Sequence, residues 1–440
     1  MKFVLLSLAA LAAAAPQRVG VHTFSDEEIV TTFLDNPRLL PPSTYAVLRA
    51  HAERSVQKAL SKRQFPGLAT LSLTNVVTTL QTAGALLSSF MPTATGAPTA
   101  TVPDLQHSPG DAFPGAKRTK VRYGPYRIPP ISERNLDSDL LLVRGMAHTF
   151  QIGGKRPCEG DCRLLSVTGS MEYADGKPAE NADGAWFHHA LIFATGPTVT
   201  PLCNSTYPID ELFMGGNEKS LIPYSLGNES TILSAYHLGA QDKLILSTQL
   251  MNMQDREKWV WLTMDFEWLP AAEAPNHRKS RFIWASISSS TAGTCSTGTN
   301  PWGVSNITAE MRPKADVMEE SSTPWTSNVE GTILATGGHM HDGGVGIDIF
   351  LNDKVICASE PIYSNNTGGM GGHGGGEHGN SDIPHIQGQS RCKYPNGVQL
   401  KVGDRTWIRA RYNFKQHPGM KDKDGNLDEI MGITGLLVAW

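Results

Sequence analysis

The chain has little charge and no long apolar run. Lys, Arg, Asp and Glu make up 18% of its 440 residues and the formal charge is -4. No basic run is interleaved with aromatics, so the electrostatic footprint of a nucleic-acid binder is absent. The best apolar stretch after the first residues, Leu71 to Phe90, is broken by Thr, Ser, Asn and Gln, so no segment reads as a membrane span. Also missing are a Gly-x-Ser-x-Gly elbow, a phosphate-cradling glycine loop and a definable pair of acidic residues, which removes the serine-nucleophile, nucleotide and glycosidase readings. No short-period repeat is present, which removes solenoids.

What is present begins with MKFVLLSLAALAAAAPQR, a lysine ahead of a short apolar run closing on small residues, the layout of a cleaved signal peptide over residues 1–15. A secreted, extracellular protein is expected. Six cysteines, Cys158, Cys162, Cys203, Cys295, Cys357 and Cys392, form an even set that an oxidising compartment would pair, in any of 15 connectivities. The spacing Cys158-x-x-x-Cys162 also admits zinc, but no nearby second pair completes four ligands. Sequons at Asn204, Asn228, Asn306 and Asn365 agree with secretion and predict glycosylated, exposed loops.

Residues 16–63 read as helical. Ser25 precedes Glu28 at capping-box spacing, and Ser43 opens a second run from Tyr45 to Lys62. The dibasic Lys62-Arg63 makes this stretch a candidate propeptide; an exposed charged helix end is the alternative. Residues 64–116 hold a further helix and a linker, MPTATGAPTATVP, without apolar period. From Lys117 the texture changes to short alternating runs divided by Gly, Pro, Asn and Asp, among them Lys243 to Ser247, Trp259 to Phe266, Gly346 to Leu351 and Thr406 to Phe414. That is the pattern of a mainly β, antiparallel sandwich. The seam LPAAEAPNHR, Leu269 to Arg278, suggests two β-sandwich domains, 117–272 and 273–440. The glycine-rich Gly368 to Gly379 reads as a solvated loop carrying His373 and His378.

Two histidine motifs can carry chemistry. In His339-Met340-His341, residues two apart on an extended strand share a face about 6.6 Å apart at Cα, so two imidazoles can converge on one ion. Gly337-Gly338 and Gly343-Gly344 permit close backbone approach, and Asp342 can orient a ligand. His188-His189 lies in the apolar run AWFHHALIF, where neighbours face opposite ways unless a bulge or strand end turns them together. Buried there, an imidazole needs a partner for each nitrogen, and a metal supplies one. Satisfied core or surface histidines are the alternative at both places.

Taken together, FHHALIF, GGHMHDGG and the late methionine in DEIMGITGLLVAW resemble the copper type II, ascorbate-dependent monooxygenases, the family of peptidylglycine α-hydroxylating monooxygenase. The resemblance implies two tandem jelly-roll-like sandwiches and two copper ions. His188 and His189 would hold the electron-transfer copper; His339, His341 and Met431 would form the catalytic, oxygen-activating one. It also implies ascorbate as reductant and insertion of one oxygen atom into an activated C–H bond of a small-molecule or peptide substrate. The thioether of Met431 suits Cu(I). The last hundred or so residues are also similar to the plant stress up-regulated nodulin family, through HMHDGGVGIDIF, VICASEPIY, RCKYP and MGITGLLVA, which suggests that Cys357 pairs with Cys392.

The chain departs from the oxygenase pattern twice. The first copper needs a third histidine in a segment similar to DKLILSTQLMN, Asp242 to Asn252, and none occurs there; Gln249, Met251 or His237 are the replacements available. The arginine that holds a peptide carboxylate two residues ahead of His-x-His is replaced by Gly337, which argues against peptidylglycine. The rival reading is a non-enzymatic, stress-associated copper-binding β protein.

Overall fold

The computed structural model describes residues 95–440 except 142–143, 201, 203–208, 217–218, 220, 288–312, 364–383, 385, 420–426 and 428–429, together with Tyr45, Ala46, Arg49, Ala50 and Arg54. Those five N-terminal residues are α-helical, and 95–100 form no regular element. The signal peptide, the dibasic Lys62-Arg63, Cys203, Cys295, Asn204, Asn306, Asn365 and the loop bearing His373 and His378 lie outside the described residues. Asn228 lies within them and is exposed on a short 3-10 turn. No helix among the described residues is long and apolar enough to cross a membrane.

The molecule is built of strands. The first half contributes β1 (Leu105–Pro109), β2 (Lys117–Ile128), β3 (Met146–Gly154), β4 (Cys162–Glu172), β5 (Ala185–Thr195), β6 (Ile209–Gly216), β7 (Ile222–Pro223), β8 (Ser234–Leu238), β9 (Lys243–Asn252) and β10 (Lys258–Pro270). The second contributes β11 (Arg278–Ser286), β12 (Val317–Ser321), β13 (Trp325–Thr326), β14 (Gly331–Met340), β15 (Gly344–Leu351), β16 (Lys354–Ser359), β17 (Pro361–Tyr363), β18 (Ile386–Gln389), β19 (Arg391–Leu400), β20 (Arg405–Asn413) and β21 (Gly432–Ala439). One six-residue helix, α1 (Leu136–Leu141), follows Asn135, whose Oδ1 accepts the Ser138 N–H at 2.8 Å as an N-cap.

Local chemistry accounts for these elements. β20 alternates, with Thr406, Ile408, Ala410 and Tyr412 buried and the residues between them more exposed, as one packed face requires. The β15–β16 hairpin turns on Asn352 and Asp353 at φ 50° and 61°, the left-handed pair a two-residue type I′ turn demands. β21 is buried at every position, because the sheet that holds it is covered on both faces: Leu436 and Val438 enter one core and Leu437 and Ala439 the other.

Neither main core stops at the seam between β10 and β11: Phe282, Leu334, Ala335, Leu437 and Ala439 pack into the first and Leu202 into the second, and one sheet runs through both halves in the order β1-β2-β10-β4-β8-β11-β21-β14-β19. The join is the short parallel pair of β8 with β11, Arg278 opposite Ser234 and Lys279 opposite Ala235. A four-stranded sheet, β3-β9-β5-β6, belongs to the first half, and a second, β12-β20-β15-β16, with β13 alongside β20, to the second. A buried ion pair crosses the halves, Arg281 on β11 to Asp210 on β6 at 2.8 Å. Beside it the Glu211 carboxyl is pushed up to about 8 by burial and by Asp210. Cys158 pairs with Cys162 and Cys357 with Cys392, so the first of these is a disulfide and not half of a zinc site.

Candidate metal centre

β14 and the residue just after it supply two of the centre's side chains. Ala335 packs into the first-half core, and strand alternation from it puts Gly337, His339 and His341 on that same side, facing the first half. The His339 and His341 ring centroids are 5.9 Å apart. The third side chain arrives through a bulge. Opposite β9, the register of β5 slips between Phe187 and His189, so His188 is an extra residue and the alternation is reset. Ala185 and Phe187 before the slip, and Ala190, Ile192 and Ala194 after it, all enter the same core. His189 is thereby released from that core and brought to 6.3 Å, centroid to centroid, from His339.

One nitrogen each of His189, His339 and His341 lie within 4.8 Å of one another, and all three residues are half-buried. Three nitrogens around one ion at ~2.0–2.1 Å bonds sit about 3.3 Å apart, so small side-chain rotations close the set. Three neutral imidazoles form a donor set that suits copper, zinc and iron. The residues present fit a bound transition metal.

The surroundings orient the histidines. Gln249 of β9 lies directly opposite His189, and its Oε1 stands 3.4 Å from His189 Nδ1. With its proton on Nδ1, His189 would donate along this long hydrogen bond and keep Nε2 for a metal. Tyr412, buried on β20, donates its hydroxyl to the Met431 carbonyl at 2.5 Å and accepts the Met431 N–H at 3.0 Å. Its hydroxyl also takes a backbone hydrogen bond from His341, so one phenol ties the ends of both strands, and burial pushes its pKa up. After His341 the chain turns through Gly343 at φ +92°, where a Cβ would lie 2.2 Å from the Phe414 ring. Tyr363 holds that turn, accepting the Gly343 N–H at 3.1 Å and donating to the Gly344 carbonyl at 2.9 Å, while its ring stacks on His417 at 3.8 Å. Asp342 accepts the Ile386 N–H at 2.9 Å.

The structure therefore regroups the sequence candidates. His189 joins His339 and His341, uniting the two motifs at one place. His188 stays next to His189, with ring centroids 4.2 Å apart, outside the trio. Met431 is buried immediately before β21; one step beyond the last ladder pair, Met340 with Gly432, the register sets it opposite His341. His237 sits on β8, where its Nε2 is 3.0 Å from the His277 carbonyl and burial pushes its pKa down to about 4. Met251 packs with Met146 and Trp186. Sequence reading missed Tyr412 and Tyr363, which carry no motif and act only through main-chain groups far along the chain.

No family model matches the chain. "Probable copper-dependent oxygenase M1" of Phoma sp. is 24% identical over 318 residues, 72% of this chain and 71% of that protein. "Probable copper-dependent oxygenase clz3" of Cochliobolus lunatus is 24% identical over 268 residues, 61% of this chain and 76% of that protein. A solved structure, of PNGF-II, overlays with a TM-score of 0.26 at 11% identity, across 82% of this chain and 68% of that one, too loosely to carry an argument.

Proposed function

We propose that the protein is a copper-dependent monooxygenase whose copper is held by His189, His339 and His341. The observation that carries this reading is the convergence of those three imidazoles, from motifs on two different strands, in a chain related to two proteins named as probable copper-dependent oxygenases. Bound copper supplies one-electron redox chemistry towards dioxygen. The overall reaction places one oxygen atom of dioxygen in a substrate C–H bond; the other leaves as water, with two electrons from ascorbate or a similar reductant and two protons.

The chain's own residues prepare that chemistry. Gln249 fixes the tautomer and ring plane of His189, and Tyr412 locks the ends of β14 and β21. Half-burial of the three rings limits water at the centre while leaving an approach for substrate. Met431, set opposite His341, is the soft donor nearest in register and the choice for a fourth ligand that favours Cu(I). Where the separate motifs imply two ions, we infer one, because the trio draws on both. Secretion, which would deliver the protein to an oxidising compartment, accords with its disulfides.

Copper titration with metal analysis and electron paramagnetic resonance tests this. One tightly held copper with three-nitrogen coupling is expected, together with ascorbate-driven oxygen uptake that is lost in His339→Ala. A chain that binds no copper overturns the reading. Binding of copper with no oxygen uptake for any substrate favours the non-enzymatic copper protein instead.

A further inference from the structure

An open cleft adjoins the centre and includes His339 in its wall. Its floor has an order that the strand registers explain. Trp284 on β11 lies opposite Gly435 on β21, Gly435 opposite Gly337 on β14, and Gly337 opposite Arg391 on β19. These four residues form one row straight across the sheet, an indole at one end, a guanidinium at the other and two glycines between. At ~4.8 Å per strand the row is roughly 14 Å long at Cα. The next row along, two residues further on each strand, holds Ile433 and His339, about 6.6 Å away.

The bare middle of the row keeps the floor low. The Phe282 ring lies on Gly435, where a Cβ would approach its Cδ1 to 2.5 Å, and stacks on Trp284 with centroids 5.3 Å apart and planes 27° from parallel. The Arg391 stem lies on Gly337, where a Cβ would come within 2.6 Å of its Cγ. Met214 and Pro223 close the cavity from the first half. Arg391 is the one formally charged side chain in the wall, and the Trp284 indole N–H is buried without an acceptor among the described residues. Flat aromatic walls, an apolar roof and a guanidinium at one end of the trough select a planar, apolar body bearing an anionic oxygen.

Building on the oxygenase reading of the centre, we propose that this trough is the substrate site and that it takes an aromatic carboxylate. The ring system lies over Phe282 and Trp284, which with the Arg391 stem cover the two glycines, and the carboxylate meets the Arg391 guanidinium beside its hydrogen bond to the Leu221 carbonyl. The bound ring then passes beside the row that carries His339, which presents its C–H bonds to the copper site.

The test uses the full chain and 2-naphthoate, with 2-methylnaphthalene and octanoate as comparators. Binding is followed by tryptophan fluorescence and calorimetry on metal-free protein, so that the carboxylate cannot be held by copper. Tightest binding of 2-naphthoate is expected, with Arg391→Met weakening it at least tenfold and leaving 2-methylnaphthalene unchanged, and Trp284→Leu weakening both. Circular dichroism and the copper spectrum of each variant should match wild type, which separates pocket loss from unfolding. Failure of 2-naphthoate to bind wild type, equal binding of octanoate, or indifference to both substitutions overturns the proposal. Any of these beside an intact three-nitrogen copper signal leaves the metal centre standing; naphthoate binding by a chain that takes no copper sinks the oxygenase reading and keeps the pocket.

Discussion

Gln249→Leu is a clean probe of the centre, because it removes one hydrogen-bond acceptor and nothing that touches the metal. Gln249 is 7% exposed, so a leucine of similar volume keeps the packing and leaves His189 without the amide at 3.4 Å. Loss of a partner that orients a ligating histidine costs roughly 10–100-fold in metal affinity. The bond here is long and His189 is only half-buried, so water can replace the acceptor in part. The low end is expected, about tenfold or ~1.4 kcal/mol. His189→Ala, which removes a donor outright, should exceed that loss and reduce the nitrogen coupling of bound Cu(II) from three nuclei to two. Gln249→Glu should bind at least as tightly as wild type, since a carboxylate acceptor gives a stronger hydrogen bond and a more basic imidazole. Competition against a chelator of known strength measures the affinities. Gln249→Leu within twofold of wild type, or His189→Ala with three coupled nitrogens, would refute the assignment of His189 as a ligand positioned by Gln249.

Three further outcomes bear on the scaffold. Tyr412→Phe strips the Met431 carbonyl and N–H of their shared partner, at about 1–3 kcal/mol for each buried group, so urea unfolding should show a total loss of ~2–6 kcal/mol and copper should bind more weakly; a loss below ~1 kcal/mol would mean that the strand ends do not depend on the phenol. Glu211 has its folded pKa raised to about 8 from 4.5, so the folded state binds the extra proton between those values; its contribution to stability is complete below pH 4.5 and falls as pH rises to about 8, by at most ~5 kcal/mol, and the difference between wild type and Glu211→Gln measured at pH 5.5 and 8.5 should follow that sign. Reduction of Cys357–Cys392, which closes a loop of 35 residues, should cost about 4 kcal/mol by loop entropy, and an unchanged melting temperature after reduction confirmed by mass spectrometry would contradict it.

The strands were legible because their cause is local. Alternation in Thr406 to Phe414 and the Asn352-Asp353 turn report the backbone through adjacent residues. The convergence of His339 with His341 was legible for the same reason, as a period of two. The bulge at His188 was anticipated as a condition, but not its consequence, since the slip is defined only against β9. No periodicity links His189 to a strand 150 positions further along, and the two motifs read separately look like two sites. Gln249 was within reach as an alternative ligand; the structure makes it a neighbour of one. The trough floor was invisible, because Trp284, Gly435, Gly337 and Arg391 belong to four strands and become a row only through pairing. His237 illustrates the converse: its partner, the His277 carbonyl, is a main-chain group that leaves no mark in the sequence.

His189 comes from one half of the chain and His339 with His341 from the other, and this division sets an order of events during biosynthesis. A growing chain that has emerged as far as β10 owns a single imidazole of the trio, and one cut at the seam yields a fragment with one and a fragment with two. Tight capture of the ion must therefore wait until β14 has docked against the first half. On the proposed reading, a loaded centre certifies that both halves have folded and met, and an incomplete or misassembled chain holds no reactive metal.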